Sequence, residues 1–292
     1  MTIKTAPAFE LLLLAAIWGA SFLFMRVGSP EFGPVLFMAL RTSIATIFLI
    51  ACLIMAKQLG SLGNKPLKVF IVGQLNTAIP FVLFGYATLI LSAGTTSVLN
   101  ATTPMFGAIV AYFWLKDKLT PAAILGLMLG FIGVYLLMSA NTALTEQSVT
   151  LPTLAVMAAA LCYGISANFT KKYLSDVKPL TLATGSQLSA SITLAPLSLF
   201  FLPNALPSVD AIYSVIVLGV LCTGIAYIIF FRLIAAIGPA RTISVTYLIP
   251  VFGIIWGVIF LDEQFTVAML IGCLVILGGV ALATGLLPRK KA

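Results

Sequence analysis

Apolar residues in this chain run in long, nearly unbroken stretches, without the alternation of a half-buried strand or the single stripe of a surface helix. A helical crossing of a bilayer needs about 20 mostly apolar residues. Stretches of that kind fall at about 9–27, 34–56, 67–91, 95–115, 121–140, 151–174, 179–202, 209–234, 239–261 and 267–287. The connections between them are short and carry turn formers: Gly28-Ser29-Pro30, Gly60 to Pro66, Pro203 to Pro207, Gly238-Pro239. The pattern predicts an all-α integral membrane protein of ten transmembrane helices with nothing left over for a soluble domain. The first stretch has no small-residue cleavage signature and ends in Phe24-Met25-Arg26, so it is read as a retained helix and not a signal peptide.

The charges orient these helices. Lys4; Lys57, Lys65, Lys68; Lys116, Lys118; Lys171, Lys172, Lys178; Arg232, Arg241; and Arg289, Lys290, Lys291 fall on one side, fourteen of the sixteen cations. Arg26 flanks the other side, and Arg41 lies inside the second stretch. Glu31, Glu146, Asp210, Asp262 and Glu263 fall opposite the cations. By the positive-inside rule both termini are cytoplasmic.

Composition narrows the function. Sixty-one per cent apolar and 8% charged residues, at a mean hydropathy of +1.16, exclude a water-soluble globule. The net charge of +8 is then an orientation signal, not a nucleic-acid footprint. With no histidine, His-metal sites and Ser-His or Cys-His catalysis are excluded. Cys52, Cys162, Cys222 and Cys273 stand alone in apolar runs, as small buried residues and neither disulfides nor ligands.

The two halves resemble each other. Shifting residues 94–138 by 146 positions brings 12 of 45 ungapped positions into agreement, among them Pro104 on Pro250, Phe106 on Phe252, Gly107 on Gly253, Gly126 on Gly272 and Gly133 on Gly279. A shift of 145 sets Trp18-Gly19 on Tyr163-Gly164, Ser21 on Ser166, Phe24 on Phe169 and Arg26 on Lys171. The predicted units are residues 1–145 and 146–292. Five helices is an odd number, so the second unit enters the membrane from the opposite side. Lys116-Asp117-Lys118 accordingly becomes Asp262-Glu263-Gln264, with both lysines gone. Inverted repeats with a mid-membrane site between them are the build of many secondary transporters.

The run Ile17-Trp18-Gly19-Ala20-Ser21-Phe22 with Arg26 resembles the first-helix signature of the drug/metabolite transporter superfamily, EamA-type branch. Leu261-Asp262-Glu263-Gln264-Phe265-Thr266, followed by Gly272 and Gly278-Gly279, is similar to it too, beside the Pro104 and Pro250 helices. One departure is Asp117, where such proteins usually carry Glu. The resemblance implies a ten-helix carrier in the bacterial inner membrane. Within the branch it points to exporters of amino acids, aromatic and other neutral ones included.

A carrier of small polar solutes needs convergent polar groups in an apolar wall. Gln74, Asn76 and Thr77 precede Pro80, and Tyr86 follows it; Asn100, Thr102 and Thr103 stand directly before Pro104; Ser244, Thr246 and Tyr247 precede Pro250. Each proline frees a carbonyl one turn back, tolerated only against protein or a water-lined cavity. These polar groups therefore either line a cavity or satisfy the kinks and pack helices. Trp18 and Tyr163, mid-helix and repeat-equivalent, are aromatic walls for a substrate or packing bulk beside Gly19 and Gly164. Ser166 and Asn168 share one face of the sixth stretch, Thr223 and Tyr227 one face of the eighth. The candidate substrate-binding set is Trp18, Ser21, Asn76, Thr77, Tyr86, Asn100, Thr103, Tyr163, Asn168, Tyr227, Ser244 and Tyr247. Arg41, seven residues after Pro34, is read as a snorkelling or carbonyl-capping cation near the outer leaflet, the alternative being a cation that holds a substrate carboxylate.

No Asp, Glu or His lies deep in any stretch, and Glu10 at the edge of the first is the nearest. The expectation is facilitative transport, or coupling through something other than a buried carboxylate. The glycines of the fifth and tenth stretches give smooth faces for helix contact. An exporter of small neutral metabolites, most plausibly amino acids with hydrophobic side chains, stands first, and a broad-specificity drug or metabolite efflux carrier second. A nucleotide-derivative carrier would need several deep cations, an integral-membrane enzyme clustered acids or histidines, and a sensor an appended domain. The expected partners are a small-molecule substrate and the lipid bilayer, with no nucleic acid, obligatory protein partner, catalytic residue, metal or cofactor.

Overall fold

The structure, a computed structural model, describes residues 5–142, 147–242 and 244–284. The cations Lys4, Arg289, Lys290 and Lys291, the acid Glu146 and the boundary near residue 145 lie outside the described residues. Among those described, every regular element is helical: α1 (Thr5–Phe32), α2 (Pro34–Met55), α3 (Pro66–Ala87), α4 (Ala93–Leu115), α5 (Pro121–Thr142), α6 (Thr150–Tyr173), α7 (Pro179–Ser198), α8 (Val209–Ile237), α9 (Val245–Leu261) and α10 (Val267–Ala283). A single helical turn, Pro239–Thr242, precedes α9. Seven of these, α1 to α6 and α8, are long and apolar enough to cross a membrane. The other three differ from the ten equal spans that the sequence predicts. Helices α9 and α10 are apolar but only 17 residues each. Helix α7 is polar along its buried side, through Thr181, Thr184, Ser186, Gln187 and Ser189.

The helix ends follow local chemistry. Pro34, Pro66, Pro121 and Pro179 stand at first positions, where the missing N–H is no loss. Side chains cap other starts: Ser92 accepts from Thr95 N at 3.0 Å, Ser208 from Ala211 N at 3.2 Å and Thr266 from Met269 N at 3.2 Å. Two connections turn through positive φ at glycine, Gly33 (73°) and Gly238 (83°). The ends of α4 and α9 stop alike, at Lys116 (φ 60°) and Asp262 (φ 51°), positions that the repeat register of 146 superposes.

Irregular turns also recur in that register. Helix α3 widens to a π-helical turn at Gln74–Ala78 and α8 at Val220–Ile225, both starting at matched positions. Helix α4 breaks at Ala101 and Thr102, just before Pro104. Proline cannot donate to the carbonyl four residues back, here that of Asn100. Thr103 Oγ1 donates to this oxygen at 2.8 Å, so the kink is satisfied locally.

Packing pairs the halves reciprocally. Helix α1 lies on α9 and α6 on α4; α3 lies on α6 and α8 on α1; α2 meets α7, and α5 meets α10. A Cβ on Gly19 would lie 2.7 Å from Phe252 Cβ and 2.9 Å from Gly253 N. A Cβ on Gly164 would lie 2.8 Å from Gly107 N and 2.8 Å from Phe106 C. These two contacts use the same three repeat positions with the halves exchanged. Helices α5 and α10 approach until Gly126 meets Gly279 and Gly133 meets Gly272. Polar ties between helices include Ser43 to Ser191 and Thr77 to Ser186, each at 2.7 Å, and Trp256 Nε1 to Ala16 O at 3.0 Å. The outer faces of the bundle expose large apolar side chains such as Phe113, Ile132, Leu151 and Phe260, as a lipid-facing surface requires.

Several cations gather at one end. Lys65 donates to Asp176 at 2.6 Å and to Tyr173 O at 3.1 Å, and Lys171 lies 3.6 Å from Asp117. Lys68 and Lys172 sit over the Tyr173 ring, at 5.1 and 5.4 Å. The hydrogen bond from Lys65 holds the Asp176 carboxyl below its ordinary range.

The α5–α10 contact can be tested directly. A side chain at Gly279 would meet backbone atoms of Gly126 and Gly130, which cannot move aside, whereas one at Gly278 meets nothing within 4 Å. Gly279→Leu should cost about 1–3 kcal/mol and lower the melting temperature in detergent by several degrees. Gly278→Leu should melt with wild type.

Candidate functional site

A cavity of about 470 Å³ lies where α1, α2, α3, α4, α6, α8 and α9 converge. That is the size of a small-molecule site. Its lining repeats across the halves. Trp18 faces Tyr163 as a pair in the 145 register; Asn76 and Cys222, Phe81 and Tyr227, Phe84 and Phe230, Asn100 and Thr246, and Thr103 and Ile249 pair in the 146 register. Both members of every pair line the same space. Part of the wall is backbone at the two π-helical turns and the α4 break, which supply Asn76, Cys222, Thr223, Asn100 and Thr103.

Aromatic rings brace one another around the space. Trp18 packs on Phe230 at 5.3 Å between centroids, Phe84 stacks on Tyr163 at 5.9 Å, and Phe22 meets the edge of Phe84 at 5.8 Å. Such walls suit flat or branched apolar bodies. Polar groups are sparse: Ser21 is buried close to the Cys222 thiol, and Asn100 and Thr103 sit at the kink. No carboxylate is among the lining residues.

Of the sequence-derived candidates, Trp18, Ser21, Asn76, Asn100, Thr103, Tyr163 and Tyr227 come together on this cavity. The rest stand elsewhere for identifiable reasons. Thr77 is fully buried between α3 and α7 and bonds Ser186. Asn168 donates to Gly107 O at 3.0 Å and Gly164 O at 2.8 Å, tying α6 to α4. Tyr247 bonds Thr284 at 2.9 Å, joining α9 to α10, and Ser244 donates to Arg241 O at 2.6 Å beside the start of α9. Tyr86 lies beyond Phe84 on α3, off the cavity wall. For Thr77, Asn168, Tyr247 and Ser244, a hydrogen bond within the bundle holds the side chain. Arg41 departs from expectation in the other direction. It is not bonded to a carbonyl; it is 5% exposed and lines the cavity. Phe22, Phe81, Phe84, Phe230 and Cys222 were absent from the candidate set. Extending the 146 register to α3 and α8 would have paired Phe81 with Tyr227 and Phe84 with Phe230.

A second hollow at one end of the bundle is formed by the connections at 30–35 and 201–207. Glu31 there is engaged by Ser208, whose N and Oγ donate to it at 2.5 and 2.7 Å.

Bundle and cavity together describe a multi-pass membrane carrier, and comparison with known proteins agrees. Residues 7–139 and 150–285 each match the EamA-like transporter family, so the chain belongs to that family, within the drug/metabolite transporter superfamily. It is 26% identical over 278 residues to the uncharacterized transporter YoaV of Bacillus subtilis (strain 168), covering 94% of this chain and 95% of that one. It is 25% identical over 279 residues to a probable terminal-alkyne amino-acid exporter of Streptantibioticus cattleyicolor, covering 94% and 92%. A solved crystal structure shares the fold at a TM-score of 0.69 and 20% identity, over 98% of this chain and all of that one.

The lining can be checked by labelling. With the four native cysteines replaced, Asn100→Cys and Thr103→Cys should react with a small polar maleimide within minutes. Asn168→Cys, held between α6 and α4, should stay unlabelled until the protein is denatured.

Proposed function

We propose that the protein exports small amino acids with hydrophobic side chains across the bacterial inner membrane by alternating access. In this reading ten helices cross the bilayer as two inverted five-helix repeats, divided near residue 145, with both termini cytoplasmic. The observation that carries it is the cavity whose wall is built from repeat-equivalent residues of both halves. Support also comes from the reciprocal packing of α1 on α9 and α6 on α4, because exchanging the conformations of the halves would then open the other side. Clustering of Lys65, Lys68, Lys171 and Lys172 at one end supports the orientation. The aromatic wall and single polar groups suit a hydrophobic amino acid, and a relative named a probable amino-acid exporter points the same way. A broad-specificity efflux carrier is the second reading, favoured by how few polar groups the wall offers.

The halves are not in the same state. Glu263, in the α9–α10 connection, accepts from Ala93 N at 2.7 Å and Gly94 N at 3.2 Å, pinning the start of α4. Its counterpart Asp117 pairs with Lys171 instead. This asymmetry fits a conformation closed on the side of Glu263. Glu263→Ala should therefore speed labelling of a cysteine at position 100 by a membrane-impermeant maleimide applied from that side. Unchanged labelling would remove the clamp from the mechanism.

The transport reading is tested by counterflow of labelled Thr, Met, Phe and Leu into liposomes holding purified protein. Saturable exchange of at least one, cut at least tenfold by Trp18→Ala or Asn100→Ala, is expected, in line with losing about 1.4 kcal/mol or more of binding. Flat traces for all four with folded protein would leave the efflux reading.

A further inference from the structure

A guanidinium stays protonated in proteins, so Arg41 brings a permanent charge into the bundle. Burying a charge is costly unless it is paired. The partners that Arg41 has are neutral: Nε donates to Thr223 Oγ1 at 3.0 Å, Nη1 lies 4.0 Å from Met25 Sδ, and the guanidinium sits 3.7 Å over the Phe81 ring. The ion pairs among the described residues are Lys65–Asp176, Lys171–Asp117 and Arg232–Glu10, none of which involves it. Thr223 and Phe81 thus hold the fork by one edge and one face. Apart from the long contact of Nη1 to Met25 Sδ, the Nη edge meets no oxygen or nitrogen acceptor among the described residues, on a side chain that lines the cavity.

The opposite half carries no second charge. The repeat counterpart of Arg41 in the 146 register is Gln187, wholly buried, uncharged and close to Tyr227. With no carboxylate and no other cation on the wall, the cavity holds one uncompensated positive charge beside aromatic rings.

We propose that Arg41 is the anion-binding group of this cavity, and that the solute it selects carries one carboxylate on an apolar, aromatic-sized body. The planar fork matches a carboxylate through two parallel N–H···O bonds. A phosphate dianion would bring more negative charge than a single arginine neutralises. The proposal rests on the cavity being the transport site and sharpens what that site reads. A monocarboxylate balances the buried cation by itself, whereas the ammonium of an amino acid meets only neutral acceptors such as Asn76, Asn100 and Thr103. The carboxylate is therefore required and the amino group dispensable.

The test measures thermal stabilisation of the purified protein in detergent by four probes: phenylalanine, 3-phenylpropionate, and their amides phenylalaninamide and 3-phenylpropionamide. We expect 3-phenylpropionate to stabilise at least as well as phenylalanine, with each amide needing about tenfold more or worse, the usual scale for a lost charge-assisted hydrogen bond. Arg41→Gln should erase the difference between acids and amides, and Arg41→Lys should keep part of it. Thr223→Val, which frees Nε while keeping the charge, should weaken the acids alone and decides the matter if Arg41→Gln does not fold. Equal stabilisation by acids and amides, or by none of the four, would overturn the proposal, as would an acid preference that survives in Arg41→Gln. Binding of 3-phenylpropionate without phenylalanine would keep the anchor and discard the amino-acid reading. Counterflow of phenylalanine that Arg41→Gln performs as well as wild type would discard the anchor and keep that reading.

Discussion

In hydrocarbon, a backbone N–H or C=O that leaves the helical ladder finds no water to replace its partner, at a cost of several kcal/mol. That constraint bears on the irregular backbone around the cavity. The π-helical turns of α3 and α8 and the break in α4 contribute residues to the same interior space, whereas the further π-helical turn at the end of α4, Ala111–Leu115, keeps its backbone bonded within the helix on an exposed apolar face. The break in α4 is closed by Thr103 bonding the carbonyl that Pro104 leaves free. A polar residue beside a proline in this setting serves two ends: it repairs the ladder and presents a polar group to the cavity. Thr103 does both, which is why packing and cavity were not true alternatives there.

The same economy governs contacts between helices. Hydrophobic burial separates helices from water but not from lipid, so close association depends on backbones approaching. Glycines provide this at Gly19 against Gly253, Gly164 against Gly107, and along the α5–α10 pair. These contacts come in pairs that exchange the halves, which is the basis of the alternating access proposed above. The Glu263 clamp, made in one half and replaced in the other by the pair of Asp117 with Lys171, is the point where that equivalence is broken.

Electrostatics adds the remaining specificity. Most cations of the described chain sit where water or a carboxylate reaches them, as Lys65, Lys171 and Arg232 do. Arg41 does not, and its neutral partners orient it without neutralising it. In the proposed reading, one fixed charge among aromatic walls selects a solute through charge balance more than through shape.

How much could be read in advance follows from the range of each interaction. Apolar run length, turn residues, proline and the internal register act locally or repeat along the chain. Helix class, most helix boundaries, membrane residence, family and much of the cavity wall, from Trp18 to Tyr227, were therefore legible in the residues alone. Thr77, Asn168 and Tyr247, which lie off the cavity wall, share a polar type with residues that line it. Their fate depends on which neighbour the helix rotation offers: Ser186, the carbonyl of Gly107, Thr284. Arg41 is the clearest case, since its distance from a helix end suggests a leaflet edge. Only the packing of α2 against α8 brings Thr223 to its Nε and turns the charge inward. The sequence by itself determined which segments are helical and apolar, because those preferences are local. The tertiary structure decided which polar side chains face the cavity and which bind a neighbouring helix, because helix rotation is fixed by contacts between residues far apart in the chain.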